Sequence, residues 1–221
     1  MRQLVIDTSY WSGTVDWQKA KTAGAAAMYT KCSQLSADPT FAANWKNCKG
    51  ILPRGAYHYL DFHGSELTQA KMFTDAMGGD WGELPPALDL EQDPAKFGLQ
   101  PALVQGRVWN FLQAVEKTTG RVPMIYSGFY YWSEWMTSNP AWLKYPFWLA
   151  WYAAENIIKV PRPWTTWSMW QYTGNGPGPQ YGTQGKSLDE NWCDNLPALL
   201  STPAPTHPSI CPTCGQPWPI K

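Results

Sequence analysis

Long apolar runs are missing from this 221-residue chain, and no stretch approaches the ~18 apolar residues that a membrane-spanning helix needs. The opening Met1-Arg2-Gln3-Leu4-Val5-Ile6-Asp7 is too short in apolar residues for a signal-peptide core, so synthesis in the cytoplasm is expected. Net charge is missing too. Seventeen basic and seventeen acidic residues balance, which argues against electrostatic capture of nucleic acid or of an anionic membrane. The three histidines, His58, His63 and His207, form no zinc-protease helix motif. No phosphate cradle is present, because Gly174-Asn175-Gly176-Pro177-Gly178 has the wrong spacing and no helix behind it. Five cysteines, an odd number, argue against a closed disulfide framework; Cys32, Cys48 and Cys193 read as small buried thiols.

Aromatic residues are plentiful, with fifteen tryptophans and eleven tyrosines. Such rings fill cores or stack on sugar faces. Strand and helix signals alternate along the chain. Leu4 to Asp7 reads as a strand, then a loop to Gly13 and a helix from Asp16 to Ala23 stopped by Gly24. Ala25 to Lys31 is a second strand, and Asp38-Pro39 is expected to cap a helix to about Lys49. Arg54 to Leu60 follows as a strand, then a helix from Ser65 to Met77. Val104, Val108, Phe111, Leu112 and Val115 mark a helix over 101–119 by their spacing. Val122 to Ser127, Phe147 to Tyr152, Thr166 to Thr173 and a short piece at Leu188-Asp189 complete about eight strands. Repeated strand-helix units imply a parallel sheet, and eight strands imply an α/β fold closed as a TIM-like barrel. Pro161, Pro163 and the Gly174-to-Gly182 run leave the C-terminal third poor in helix. Residues 1–200 therefore read as one barrel domain, and 201–221 as a proline-rich tail.

The fourth strand, Ala87-Leu88-Asp89-Leu90-Glu91, ends by presenting two carboxylates two residues apart. Strand side chains alternate, so Asp89 and Glu91 share one face and their backbones lie roughly 6.6 Å apart, within reach of one reacting centre. Asp7 and Asp189 end the first and last strands, so four acids converge on the barrel mouth where active sites of this architecture lie. Tyr57, Tyr59, Tyr126, Trp148, Trp151, Tyr152 and Trp170 fall on or beside strand ends, where rings can line a sugar cleft or pack the core. The tail carries Cys211-Pro212-Thr213-Cys214, half of a zinc knuckle to which His207 could add a third ligand.

These pieces together resemble the glycoside hydrolase family 25 lysozymes, over residues 3 to about 196. The resemblance is carried by Ile6-Asp7-Thr8-Ser9 with Gly13 and Val15-Asp16-Trp17, by Lys31, and by Asp38-Pro39-Thr40-Phe41 with Asn44. Gly55-Ala56-Tyr57-His58-Tyr59, Leu88-Asp89-Leu90-Glu91 and Ile125-Tyr126-Ser127-Gly128 follow in the same order. Trp148-Leu149-Ala150 with Tyr152, Trp170-Gln171-Tyr172, and Leu188-Asp189 with Asn191 complete it. The likeness implies a barrel of five regular strand-helix units with an irregular end. It also implies an N-acetylmuramidase that cleaves the β-1,4 bond between N-acetylmuramic acid and N-acetylglucosamine in peptidoglycan, of the phage endolysin type. Glu91 would then be the general acid, with Asp89, Asp7 and Asp189 as supporting carboxylates. Tyr57, Tyr59, Lys31, Tyr126, Trp148, Tyr152 and Trp170 would contact substrate. The chain departs from the family after its lysine, where Gln34 and Leu35 stand near an acid and a glycine.

No cofactor is expected for catalysis, with zinc at Cys211 and Cys214 the one candidate metal. The expected partner is peptidoglycan, and the expected state a monomer or a dimer joined through the tail. The expected location is the host cytoplasm before lysis and the cell wall afterwards. Two alternatives compete: a chitinase-like hydrolase, disfavoured because Pro85 and Ala87 stand where a third acid belongs, and an inactive sugar-binding virion module, disfavoured by the four acids. Spacing leaves the nucleophile open between Asp89, an activated water and the substrate's own acetamido group.

Overall fold

The computed structural model describes residues 2–200. Eight strands close in sequence order into one barrel. Strand β1 (Gln3–Thr8) leads to α1 (Trp17–Thr22), β2 (Ala25–Ser33) to α2 (Phe41–Cys48), and β3 (Arg54–Tyr59) to α3 (Glu66–Met77). Strand β4 (Ala87–Asp89) leads to α4 (Pro101–Thr119) and β5 (Met124–Gly128) to α5 (Phe129–Trp135). After β6 (Phe147–Ala150), β7 (Met169–Pro177) and β8 (Ser187–Cys193) follow with single 3-10 turns between them, and α6 (Leu196–Leu200) ends the described chain. Five regular units and a helix-poor end are thus present.

The sheet departs from the parallel expectation at one strand. β1 through β7 are parallel, but β8 runs antiparallel to both β7 and β1. A parallel return needs a crossover of roughly a dozen residues or more, and residues 178–186 fold instead as a hairpin turn. The same hairpin moves β7 from the expected 166–173 to Met169–Pro177, because Gly176 and Pro177 pair with Leu188 and Ser187. Asp38 is a second departure. Its carboxylate accepts from Thr40 N (2.9 Å), Thr40 Oγ1 (2.7 Å) and Tyr10 N (3.0 Å), so it ties two mouth loops together instead of capping α2, which begins at Phe41.

Alternation along the strands separates outer packing against the helices from an inner core. Leu88, Leu90, Ile125 and Leu149 face outward and bury against the helices, with Val104, Val108, Phe111, Leu112 and Val115 of α4 all fully covered. Val5, Ala27, Met124 and Met169 face inward and fill the barrel below the mouth, together with Leu196 and Leu199 of α6. Tyr29 lies across the interior and donates to Pro85 O at 2.9 Å. Residue 55 must be glycine, since a Cβ there would lie 2.2 Å from the Tyr29 ring.

At the N-terminal end of β3, Arg54 is fully buried and lies 4.4 Å from the Trp45 ring centre. Its guanidinium donates to Asp80 Oδ1 (2.9 Å) and Glu83 Oε1 (3.0 Å), bridging two points of the following loop to the strand. The guanidinium beside it is the main cause that pulls Asp80 down to about 2. A depressed carboxylate adds stability that is complete above its unfolded value near pH 4 and is lost as pH falls through the folded value. Arg54→Met should therefore lower stability at pH 7 by ~1–3 kcal/mol, below the cost for a sealed pair because both carboxylates are partly open to water. Thermal unfolding should show the gap between variant and wild type narrowing from pH 4 towards pH 2.

Candidate active site

Strand parity places the inward residues near the C-terminal ends of the strands in one polar pocket of about 140 Å³, open at the mouth. Asp7, Asp89, Glu91 and Asp189 line it with Tyr57, Tyr126, Trp148, Tyr152 and Gln171. Asp7 and Asp189 are direct neighbours across the antiparallel β1–β8 pair, and Asp89 stands between Tyr59 and Tyr126 in register. The strand stops at Asp89, two residues before its expected end. Alternation nevertheless persists, because Leu90 N donates to Tyr126 O (3.0 Å) and Leu90 O accepts from Ser127 Oγ (2.8 Å). Glu91 consequently reaches the same pocket from the mouth loop, more exposed than Asp89.

An amide scaffold holds the acids. Asp7 Oδ2 accepts from Asn191 Nδ2 (2.7 Å) and Gln171 Nε2 (3.1 Å). Gln171 Oε1 in turn accepts from Tyr126 Oη at 2.8 Å and from Tyr152 Oη. Trp148, the pocket floor, donates through Nε1 to Asn191 Oδ1 (2.7 Å) and meets the Tyr126 ring edge-on, 5.0 Å between centres. Asp89 differs from Asp7: its Oδ1 is buried with no hydrogen-bond partner.

All four carboxyls are pushed above the usual range, and burial is the first cause in each. The charge of Asp189 raises Asp7 further, and the charge of Glu91 raises Asp89. The Lys31 ammonium works against both shifts at Asp89 and Glu91. The cluster therefore holds its protons to higher pH than separate, solvated carboxyls would, and those protons belong to the group as a whole. A carboxyl that keeps its proton beside one that has lost it is the equipment of acid-assisted glycoside cleavage.

The sequence profile of the glycosyl hydrolases family 25 matches residues 6–181. The chain belongs to this family. It is 31% identical to lysozyme M1 of Streptomyces globisporus over 210 residues, 88% of this chain and 69% of that protein. It is 29% identical to the N,O-diacetylmuramidase of Chalaropsis, spanning 89% of this chain and 98% of that one. The crystal structure of the bacterial lysozyme from Streptomyces coelicolor superposes with a TM-score of 0.78 at 28% identity, covering 90% of this chain and 95% of that chain. As a family 25 member this protein is a glycoside hydrolase of the lysozyme type.

Three residues expected at substrate do not line the central pocket. Lys31 flanks the central pocket: its ammonium donates to Gln34 Oε1 (3.0 Å), sits 4.8 Å from the Tyr59 ring centre, and lines a neighbouring polar cavity with Tyr10, Ser33 and Asp38. Tyr59 accordingly lies under Lys31 and lines none of the central pocket. Trp170 is a correction. It points outward, 4% exposed in the helix-side core with its Nε1 donating to Trp151 O (2.7 Å), because parity sends its neighbour Gln171 inward. His58 also faces outward, fully buried between Ser33 Oγ and Gln69 Oε1, and burial pulls it down to about 4. Gln171 and Asn191 were missed as site residues. Asn191 stands two places from Asp189, so strand parity signals it; Gln171 lies on the face opposite Trp170, and only the closed barrel shows that its face is the inner one.

Among the described residues no group of three His, Cys, Asp or Glu side chains could hold a metal ion. Cys211, Cys214 and His207 lie outside the described residues.

A raised carboxyl binds its proton more tightly in the folded state, so it costs stability once pH passes the unfolded value near 4. Asp7→Asn keeps an acceptor for Asn191 and Gln171 while removing one charge from the cluster. It should raise Tm at pH 7 by roughly 2–4 °C, the shift that about 1 kcal/mol produces in a chain of this size, and lower activity. Calorimetry at pH 3 should show the stabilisation gone.

Proposed function

We propose that this chain is a peptidoglycan-cleaving muramidase that hydrolyses the β-1,4 bond between N-acetylmuramic acid and N-acetylglucosamine, with Glu91 as general acid and assistance from the substrate's 2-acetamido group. The observation that carries the reading is Asp89 Oδ1, a buried acceptor without a partner beside a second acid at the mouth. Burial and the charge of Glu91 make an ionised Asp89 costly, and an amide N–H donated to it would relieve that cost. The acetamido group of an N-acetylated sugar supplies such an N–H. Held by Asp89, its carbonyl oxygen attacks the anomeric carbon while the glycosidic bond breaks. The bonding pair leaves with the glycosidic oxygen, which takes the proton of Glu91. Water then adds to the anomeric carbon of the cyclic intermediate as the bond from that carbon to the acetamido oxygen breaks, its electron pair restoring the amide, and the water gives its proton to the Glu91 carboxylate. Two inversions at one carbon retain its configuration.

Asp7, joined to Gln171 and Asn191, and its neighbour Asp189 form the wall of the pocket on β1 and β8, and the charge of Asp189 pushes Glu91 upward. The setting proposed for this activity is that of a bacteriophage endolysin, for which the host cell wall is the substrate.

Glu91→Gln should retain the fold and lose ~10²–10⁴-fold in rate on purified peptidoglycan. Wild-type turnover by that folded variant would remove Glu91 from the role. Product analysis should find new reducing ends on muramic acid; ends on glucosamine would overturn the bond assignment. Peptidoglycan whose muramic N-acetyl groups are replaced by free amines should bind and resist cleavage. Efficient cleavage of it would return the nucleophile to Asp89 or to water.

A further inference from the structure

Strand parity sends Lys31 inward. It stands two places after Tyr29, which lies in the barrel interior, and pairs in register with Tyr57, which lines the catalytic pocket. Its ammonium nevertheless lies outside that pocket, 4.8 Å from the Tyr59 ring centre and bonded to Gln34 Oε1 at 3.0 Å. A flexible cation rooted beside four crowded acids, one with a buried oxygen that has no hydrogen-bond partner, would ordinarily turn to them. Something holds it away. We propose that Gln34 is a positioning residue of the hydrolysis: anchored on Asp61, it tethers the Lys31 ammonium at the flank and keeps it from pairing with Asp89 and Glu91. The inference rests on the reading of Glu91 as general acid and adds to it the residue that guards the acid's proton.

The anchor is Asp61, a carboxylate outside the catalytic four and only 3% exposed. Its main chain is clamped by Gln69, which accepts from Asp61 N (2.9 Å) and donates to Asp61 O (2.7 Å). Its Oδ1 accepts from His63 N (2.9 Å) and its Oδ2 from Gln34 Nε2 (2.7 Å). Burial alone would raise this carboxyl, but the donors His63, Gln34 and Gln92 outweigh it and hold it down at about 2. Asp61 is therefore ionised near neutral pH and can only accept. That fixes the Gln34 amide: Nε2 faces Asp61, so Oε1 faces Lys31, whose ammonium can only donate. The Gln34 backbone is set independently, by Gln34 N donating to Ser36 O (3.0 Å) and by the bridge between Ser33 and Ala37.

The groups around Lys31 leave the acids as its alternative partners. Asp38 shares its cavity but already accepts from Tyr10 and Thr40. His58 is pulled down to about 4 by burial and is neutral, and His63 is bonded to Asp61. Burial pushes the Tyr57 and Tyr59 hydroxyls upward, so both stay protonated. Asp7 and Asp189 face each other on β1 and β8, while Asp89 is the register neighbour of the ring on which Lys31 rests. An ammonium drawn against Asp89 and Glu91 would lower their hold on a proton by ~1–3 pH units. It would also occupy Asp89 Oδ1, the acceptor assigned above to the substrate amide.

The pH dependence of kcat/KM on solubilised peptidoglycan tests the tether, since its basic limb follows the essential acid of the free enzyme. Gln34→Leu removes the acceptor and should move that limb about one pH unit or more to lower pH. Lys31→Met removes the cation and should move it to higher pH. The double variant should follow Lys31→Met alone, because the tether then has nothing to hold. A merely structural Gln34 would lower rate or stability without displacing the limb. An unmoved or upward limb in Gln34→Leu, or a downward shift that persists in the double variant, overturns the proposal. Carbon NMR titration of the Asp89 and Glu91 carboxyls reads the same displacement without turnover. Should folded Glu91→Gln prove active, the general-acid reading fails and this titration still decides the tether: lower titration in Gln34→Leu supports it, and unchanged carboxyls overturn it.

Discussion

Four carboxyl groups in one partly water-excluded pocket repel one another, and the polar interior of the barrel is arranged around that repulsion. Each is pushed upward chiefly by burial, and Asp7, Asp89 and Glu91 also by a neighbouring acid. The structure does not relieve the strain with buried arginines. It answers Asp7 with two neutral amides, Gln171 and Asn191, and leaves Lys31 at the flank as the cation acting on Asp89 and Glu91. Neutral donors stabilise a carboxylate less than a guanidinium would, so the cluster keeps protons that a salt-bridged set would lose. Retained protons are what a general acid requires.

The remainder of the barrel makes that crowding tolerable. Trp148 seals the pocket floor and at the same time orients Asn191 through its indole N–H, so one ring excludes water and sets a hydrogen bond. Below it Tyr29 crosses the interior over Gly55, and Leu196 and Leu199 close the far end. The only deeply buried arginine with carboxylate partners described above, Arg54, stands at the opposite end of the barrel, where its charge steadies a loop without neutralising the site. Stability and chemistry are thus divided between the two ends of the strands, as is usual in barrels of this architecture.

The antiparallel β8 has a functional side. A parallel strand in that position would need a helical crossover; the hairpin instead sets Asp189 directly across from Asp7 and Asn191 across from Val5. Both β8 residues then face the pocket from a strand that enters it in the opposite direction. The irregular end of the barrel is where the acid pair and its amide support are assembled.

Much of this was open to reading in the chain alone. The strand-helix order, the amphipathic α4 and the inward parity of Asp89 and Glu91 follow from periods of 3.6 and 2, which are local properties of the backbone. The four acids could be collected because each follows apolar residues in a run that reads as a strand. Direction and neighbour were another matter. Strand parity alone did not reveal that β8 turns back, that Trp170 belongs to the outer core while Gln171 enters the pocket, or that Lys31 leans on Tyr59 beside the mouth. Asp38, read as a helix cap, ties Tyr10 to Thr40 because a loop distant in sequence lies next to it. Residue order sets which groups can share a face; only closure of the barrel decides which faces meet, since hydrogen bonds and Coulomb forces act over a few ångströms of space and take no account of separation along the chain.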